Sequence, residues 1–128
     1  MNENINEKMT ELQKVIKMKN IDEFEFWDYK DFTLKVVASF DFAYYHNIEI
    51  TFYKVSFISC STKFLSAKIR FGTDEEREWL LKNHKINYIK DEDILFCFNT
   101  NYDSDKYYIF AKGFEFNTED VLYKNPNS

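Results

Sequence analysis

Residues 33–59, TLKVVASFDFAYYHNIEITFYKVSFIS, alternate in hydropathy over most of their length. Leu34, Val36, Ala38, Phe40 and Phe42 fall on one side of an extended chain, and Thr33, Lys35, Ser39 and Asp41 on the other. Val37 is the single apolar exception. A period of two places alternate residues on one face of a pleated sheet, so the pattern predicts a half-buried strand. Residues 43–47 supply a short turn. The alternation then resumes with Ile48, Ile50 and Phe52 inward and Glu49 and Thr51 outward. Beyond Phe52 it slips by one, and the apolar positions become Tyr53, Val55 and Phe57. One extra residue flips every later side chain to the other face, which predicts a β-bulge at Phe52-Tyr53.

Outward from this hairpin, residues 2–19 carry Ile5, Met9, Leu12 and Ile16 at helical spacing, widened by Val15. That stripe predicts an amphipathic helix laid on the sheet, with early acids and late lysines that suit its dipole. Residues 22–31 interleave acids with Phe24, Phe26, Trp27 and Tyr29, and read as a connection tucking aromatics under the sheet edge. Residues 63–71 alternate again, with Leu65, Ala67, Ile69 and Phe71 on one face. Gly72 ends that strand. Thr73 and Glu76 then form a capping box opening a helix over residues 74–83, with Trp79, Leu80 and Leu81 as its contacts. A short strand is expected over 86–89 and a doubly buried one over 94–98, followed by a turn-rich loop over 99–105. Residues 106–116 read as one return strand with Gly113 as a bulge or close approach. Residues 118–123 read as a final helical turn. The predicted class is α+β: a curved, mainly antiparallel sheet of about 5–7 strands, an N-terminal amphipathic helix, and a second short helix.

The 128 residues fit one domain, residues 1–128, long enough to bury roughly two thirds of the unfolded surface. Phe, Tyr and Trp make up 20% of the chain, a large core payload. Only 2 Gly and 1 Pro argue against phosphate-binding loops and flexible linkers. A net charge of −5 argues against nucleic-acid and membrane-surface binding. Cys60 and Cys97 sit among strand residues and read as small buried hydrophobes, with a disulfide between them left open. His46 falls in the hairpin turn, where a solvated side chain is expected. Cys60, Cys97, His46 and His84 lack paired metal-ligand spacing, and residues 103–105 lack the glycine and terminal glutamate of a calcium loop. No nucleophile elbow is present. No catalytic residue, metal or cofactor is assigned, and the absence of an apolar leader makes the expected compartment the cytoplasm.

The acids cluster at residues 22–31, 74–78, 91–93 and 103–105. Such a surface steers a basic partner and raises its association rate at low salt. The segment WDYKDFTLKVV from Trp27, the run ITFYKVSFISC from Ile50, and TDEE opening a helix at Thr73 together resemble small bacterial proteins, some grouped with polymorphic-toxin immunity proteins. The resemblance spans about residues 27–78 and implies a one-domain, non-enzymatic α+β fold that binds a partner protein. It transfers no functional residue, since Lys30-Asp31 stand where the family pattern often has a His-Asp pair. The expected function is neutralisation of a basic, nuclease-type bacterial toxin by direct binding. The candidate contact residues are Asp22, Glu23, Glu25, Trp27, Asp28 and Asp31. The alternatives are a phage-encoded inhibitor of a host defence nuclease, and a small-molecule-binding domain or enzyme with an aromatic-lined pocket.

Overall fold

The computed structural model describes residues 4–40, 45–65, 67–100 and 106–122. Among these the chain is α+β and antiparallel. It begins with α1 (Ile5–Met18), followed by the strands β1 (Glu23–Lys30), β2 (Thr33–Ser39), β3 (Tyr45–His46), β4 (Ile48–Tyr53), β5 (Phe57–Ser59), β6 (Lys63–Leu65) and β7 (Ala67–Phe71). After α2 (Asp74–Asn83) come β8 (Ile94–Thr100), β9 (Lys106–Ala111), β10 (Gly113–Asn117) and β11 (Val121–Leu122). The strands form a five-stranded sheet in the order β10-β4-β2-β1-β6, a four-stranded sheet in the order β5-β9-β8-β7, and the small ribbon β11-β3.

The alternation in residues 33–52 has the expected consequence: Leu34, Val36, Ala38, Ile48, Ile50 and Phe52 are all fully buried. Phe40 departs from it, lying past the end of β2 and 57% exposed. The slip after Phe52 has a different cause from a bulge. Tyr53 is exposed, Lys54 takes a left-handed backbone (φ 53°), and Val55 turns inward as the chain leaves the first sheet for the second. Bends of this kind carry strands between packed sheets. The same passage divides two other stretches that read as single strands. Residues 63–71 split into β6 and β7, with Phe64 buried and Leu65 exposed, contrary to the expected phase. Residues 106–116 split at Lys112 into β9 and β10, and a Cβ on Gly113 would meet nothing within 4 Å, so close approach is not its role. Gly72 has that role instead, since a Cβ there would collide with Leu95.

Three connections also differ from expectation. Residues 22–31 hold a true strand, β1, paired with β2 and β6. Residues 86–89 form no strand, and Val121-Leu122 pair with Tyr45-His46 rather than turn into a helix. The β8–β9 hairpin forms as expected, but its loop, residues 101–105, lies outside the described residues, as do Phe42, Tyr123 and the tail.

The two sheets meet through aromatic rings. Phe98 of β8 lies 5.5 Å from Phe24, 5.1 Å from Phe64 and 6.4 Å from Phe52, all on the five-stranded sheet, and Phe96 lies 5.0 Å from Phe52. Edge-on and tilted pairs of this kind add about 0.5–1.5 kcal/mol each beyond burial. Helix α1 covers the seam between the sheets with Met9, Leu12 and Ile16. It is pinned to one edge strand of each. Gln13 donates to the Ile69 carbonyl on β7 (2.9 Å), and Lys8 to the Phe114 carbonyl on β10 (3.1 Å).

Helix α2 opens with the complete capping box: Glu76 N–H donates to Thr73 Oγ1 (3.1 Å) and Thr73 N–H to Glu76 Oε1 (2.8 Å). Leu80 is its buried contact, while Trp79 is 54% exposed. Arg77 ties the helix to the following loop by donating to the carbonyls of Asp93 and Lys90, both at 2.6 Å. Both cysteines are free, Cys97 buried and Cys60 half-buried. Burial pushes the Cys60 thiol up to about 12 and the Cys97 thiol to about 11, as suits packing groups rather than nucleophiles.

Candidate partner-binding face

Cross-strand partners share a face, so the register sorts the side chains of β1. Phe24 and Phe26 stand opposite Ala38 and Val36 and point into the core. Glu23 and Glu25 stand opposite Ser39 and Val37 and point outward. A bulge between Phe26 and Asp28 interrupts the pairing at Trp27, after which Asp28 faces outward opposite Lys35, and Tyr29 stands on the core side opposite Leu34. The bulge therefore lies on β1 rather than β4. It leaves two of the four aromatics of this stretch exposed, Trp27 at 52% and Tyr29 at 49%, on opposite sides of the strand.

Trp27 rests on a fixed support. Its ring meets His46 edge-on at 4.9 Å and 63°. His46 is 1% exposed, not solvated, because β3 pairs with β11 across the end of the sheet; Ser39 Oγ donates to the Tyr45 carbonyl there (2.7 Å). Val37, which points outward opposite Glu25 and Glu49, is fully buried on the same face. His46 Nε2 lies 2.9 Å from Glu49 Oε2, and Lys35 Nζ lies 3.5 Å from Glu49 Oε1. Burial raises the Glu49 carboxyl, but its bonds with His46 and Lys35 outweigh this and hold it below its ordinary value.

Around this support the carboxylates differ in their engagement. Glu25 lies 4.0 Å from Lys63. Among the described residues no ion pair joins Asp22, Glu23, Asp28 or Asp31. Glu23, Glu25, Trp27 and Asp28 share the outer face, Asp22 precedes it, and Asp31 sits at the β1–β2 hairpin tip roughly 30 Å from Asp22 at strand rise. The six candidates thus form an extended strip rather than one cluster. Exposed Leu65 and Tyr53 join the same face, opposite Glu23 and Gly113. Sequence reading missed both because it assigned them inward phases.

Two other acidic clusters each commit one carboxylate to the fold, while Asp74, Glu75, Glu78 and Asp91 stay exposed. Glu76 receives a two-pronged bond from Arg70 (2.8 and 2.9 Å) and one from the Tyr108 hydroxyl (3.0 Å). The Arg70 bond, aided by the Thr73 amide, brings its carboxyl down to about 2. Asp93 is buried and accepts from Lys112 Nζ (2.6 Å) and Lys90 N–H (2.8 Å). The cluster at 103–105 lies outside the described residues. Among the described residues no group of three or more His, Cys, Asp or Glu could hold a metal ion, and no helix is long and apolar enough to cross a membrane. The arrangement on β1 is suited to recognition: a supported indole that can be desolvated, rimmed by carboxylates that can meet cations. Comparison with protein-family models, with characterised proteins and with solved structures returns no match.

Proposed function

We propose that this is a small acidic binding protein of the immunity type, acting in the cytoplasm to neutralise a basic bacterial toxin by direct contact. One observation carries the proposal: Trp27, half-exposed at a bulge and braced by buried His46, stands on the same strand face as Glu23 and Asp28, which make no ion pair among the described residues. Rigid aromatic anchors with a charged rim are the usual source of interface energy and association rate. A nuclease-type toxin suits this face because a cleft that holds phosphates is basic. The resemblance of residues 27–78 to immunity-type proteins supports the same conclusion.

The test is capture of the partner from the native host, followed by binding kinetics with two variants. Reversal of Asp22, Glu23, Glu25 and Asp28 to Lys is expected to slow association at least tenfold and leave thermal unfolding cooperative. Trp27→Ala is expected to speed dissociation with little change in association. The wild-type association rate should fall as salt rises. A partner that binds the reversed variant as fast as wild type, or at a salt-independent rate, would overturn the proposal.

A further inference from the structure

A second surface lies on the other side of the β1–β2 hairpin, where the two sheets part. The long stretch containing β4 and β5 is paired unequally along its length. β4 has β2 on one side and β10 on the other, whereas among the described residues β5 has β9 alone. Among those residues the side that β2 covers on β4 carries no strand on β5, because β2 begins at the hairpin tip. The opening is a groove of about 530 Å³, lined by Tyr29, Phe32, Val55, Phe57, Ile58 and Tyr88. A second hollow of about 370 Å³ shares Phe32, Val55 and Tyr88 and extends it towards Lys54, Lys90 and Lys112.

The wall of this groove contains an unusual residue. Asp31 and Phe32 form the two-residue loop between β1 and β2, both left-handed (φ 53° and 61°). That turn favours Asn-Gly, and a bulky residue at its second position is held against its backbone preference. Phe32 gains little by burial in return, being 67% exposed. The Phe32 carbonyl accepts from Val55 N–H (2.7 Å), which fixes the turn against the start of β5. The charges at the groove end are uneven. Asp93 and Glu92 engage Lys112. Lys54 and Lys90 keep exposed side chains with no ion pair among the described residues, against the single free carboxylate of Asp31.

The geometry points to this groove as the docking site for an extended peptide segment of a partner protein, lying beside β5 in the place that β2 leaves empty. Strand addition supplies main-chain hydrogen bonds to a free edge, and the adjoining hollow selects side chains. The segment carries an apolar side chain that packs between Phe32 and Tyr88, and a carboxylate that meets Lys54 and Lys90. The site is separate from the Trp27 face, which looks outward from the opposite side of β1.

The test uses the ¹⁵N-labelled protein and three probes. One is an acetylated hexapeptide alternating Val and Thr around a central Phe and ending in Asp with a free carboxylate. The second is its amidated counterpart ending in Asn, and the third is phenylacetate. The acidic peptide is expected to shift the amides of residues 55–59 and Tyr88, binding at least fivefold more tightly than the amidated form. The variant K54Q/K90Q should lose that difference. Phe32→Gly should weaken the acidic peptide at least tenfold while melting at or above the wild-type temperature, since glycine adopts the left-handed turn freely. Absence of shifts at millimolar peptide, unchanged affinity in Phe32→Gly, or equal affinity for phenylacetate would each overturn the proposal, the last by making the groove a small-molecule site.

Discussion

Phe32 shows how a single residue can be costly to the fold and still be informative. Holding a bulky side chain at φ 61° costs on the order of 1–3 kcal/mol, and at 67% exposure the ring recovers little of that by burial. Glycine removes the strain and adds some unfolded-chain entropy, so the two effects partly offset. Phe32→Gly is therefore expected to raise stability by up to ~1 kcal/mol in urea unfolding, and a clear loss of stability would show that the ring packs more than its exposure indicates. Glu76 lies at the other extreme, a carboxylate whose partners converge on it. Its folded value of about 2 lies below the ordinary 4.5, through the Arg70 bond first. A depressed carboxyl contributes stability that is full above the unfolded value and lost as pH falls through the folded one. Acid unfolding should therefore weaken the protein between about pH 5 and 2, by on the order of 2 kcal/mol from this group. Glu76→Gln should lower stability at pH 7 and flatten the curve over that window; an unchanged acid limb would remove Glu76 as its source.

At the scale of elements, local signals translated directly and non-local ones did not. The capping box of α2 depends on residues three apart, and both of its bonds form. Thr73→Ala is expected to cost about 1 kcal/mol, read by thermal or urea unfolding, and a variant melting like the wild type would show that Glu76 and Arg70 hold the helix start without it. The alternation of β2 and β4 was equally legible, because one face of each strand is buried along its length, although Val37 and Ser39 on the other face of β2 are buried as well. What the sequence could not show was where a strand changes sheets. Residues 63–71 and 106–116 keep enough alternation to read as single strands, yet the coverage of their two halves comes from different partners. Leu65 is exposed for this reason, since β6 pairs with β1 at the margin of the five-stranded sheet. His46 failed in the reverse direction. Polar turn residues suggested solvent, whereas His46 pairs with distant Val121 across the β3–β11 ribbon, meets the Trp27 ring and bonds Glu49. The candidate face on β1 was legible as composition, but the bulge that separates Trp27 from Tyr29 was hidden within an unbroken aromatic run.

The whole molecule depends on the contact between its two sheets, which holds the larger of two apolar clusters, the smaller being Leu80 of α2 on Leu95 and Phe110 of the four-stranded sheet. Phe98 is central to that contact: from the four-stranded sheet it touches rings on β1, β4 and β6 of the other. Four connections between successive strands, β4–β5, β5–β6, β6–β7 and β9–β10, also pass from one sheet to the other, so separating the sheets would require unravelling strands rather than sliding two surfaces apart. These features predict one cooperative unfolding transition, with near-UV and far-UV circular dichroism changing at the same denaturant concentration. Phe98→Ala is expected to cost roughly 3–5 kcal/mol, the transfer of a buried ring plus the cavity it leaves. That is a large share of the roughly 5–15 kcal/mol that holds a domain of this size folded. Val121→Ala, in the marginal β3–β11 ribbon, should cost much less and leave cooperativity intact. Its effect belongs instead to Trp27: loosening the cover over His46 should shift Trp27 emission to longer wavelength before global unfolding, with Trp79→Phe used to isolate the signal. If Phe98→Ala splits the transition in two, the sheets fold separately; if Val121→Ala leaves the emission unmoved, the ribbon does not brace the candidate anchor.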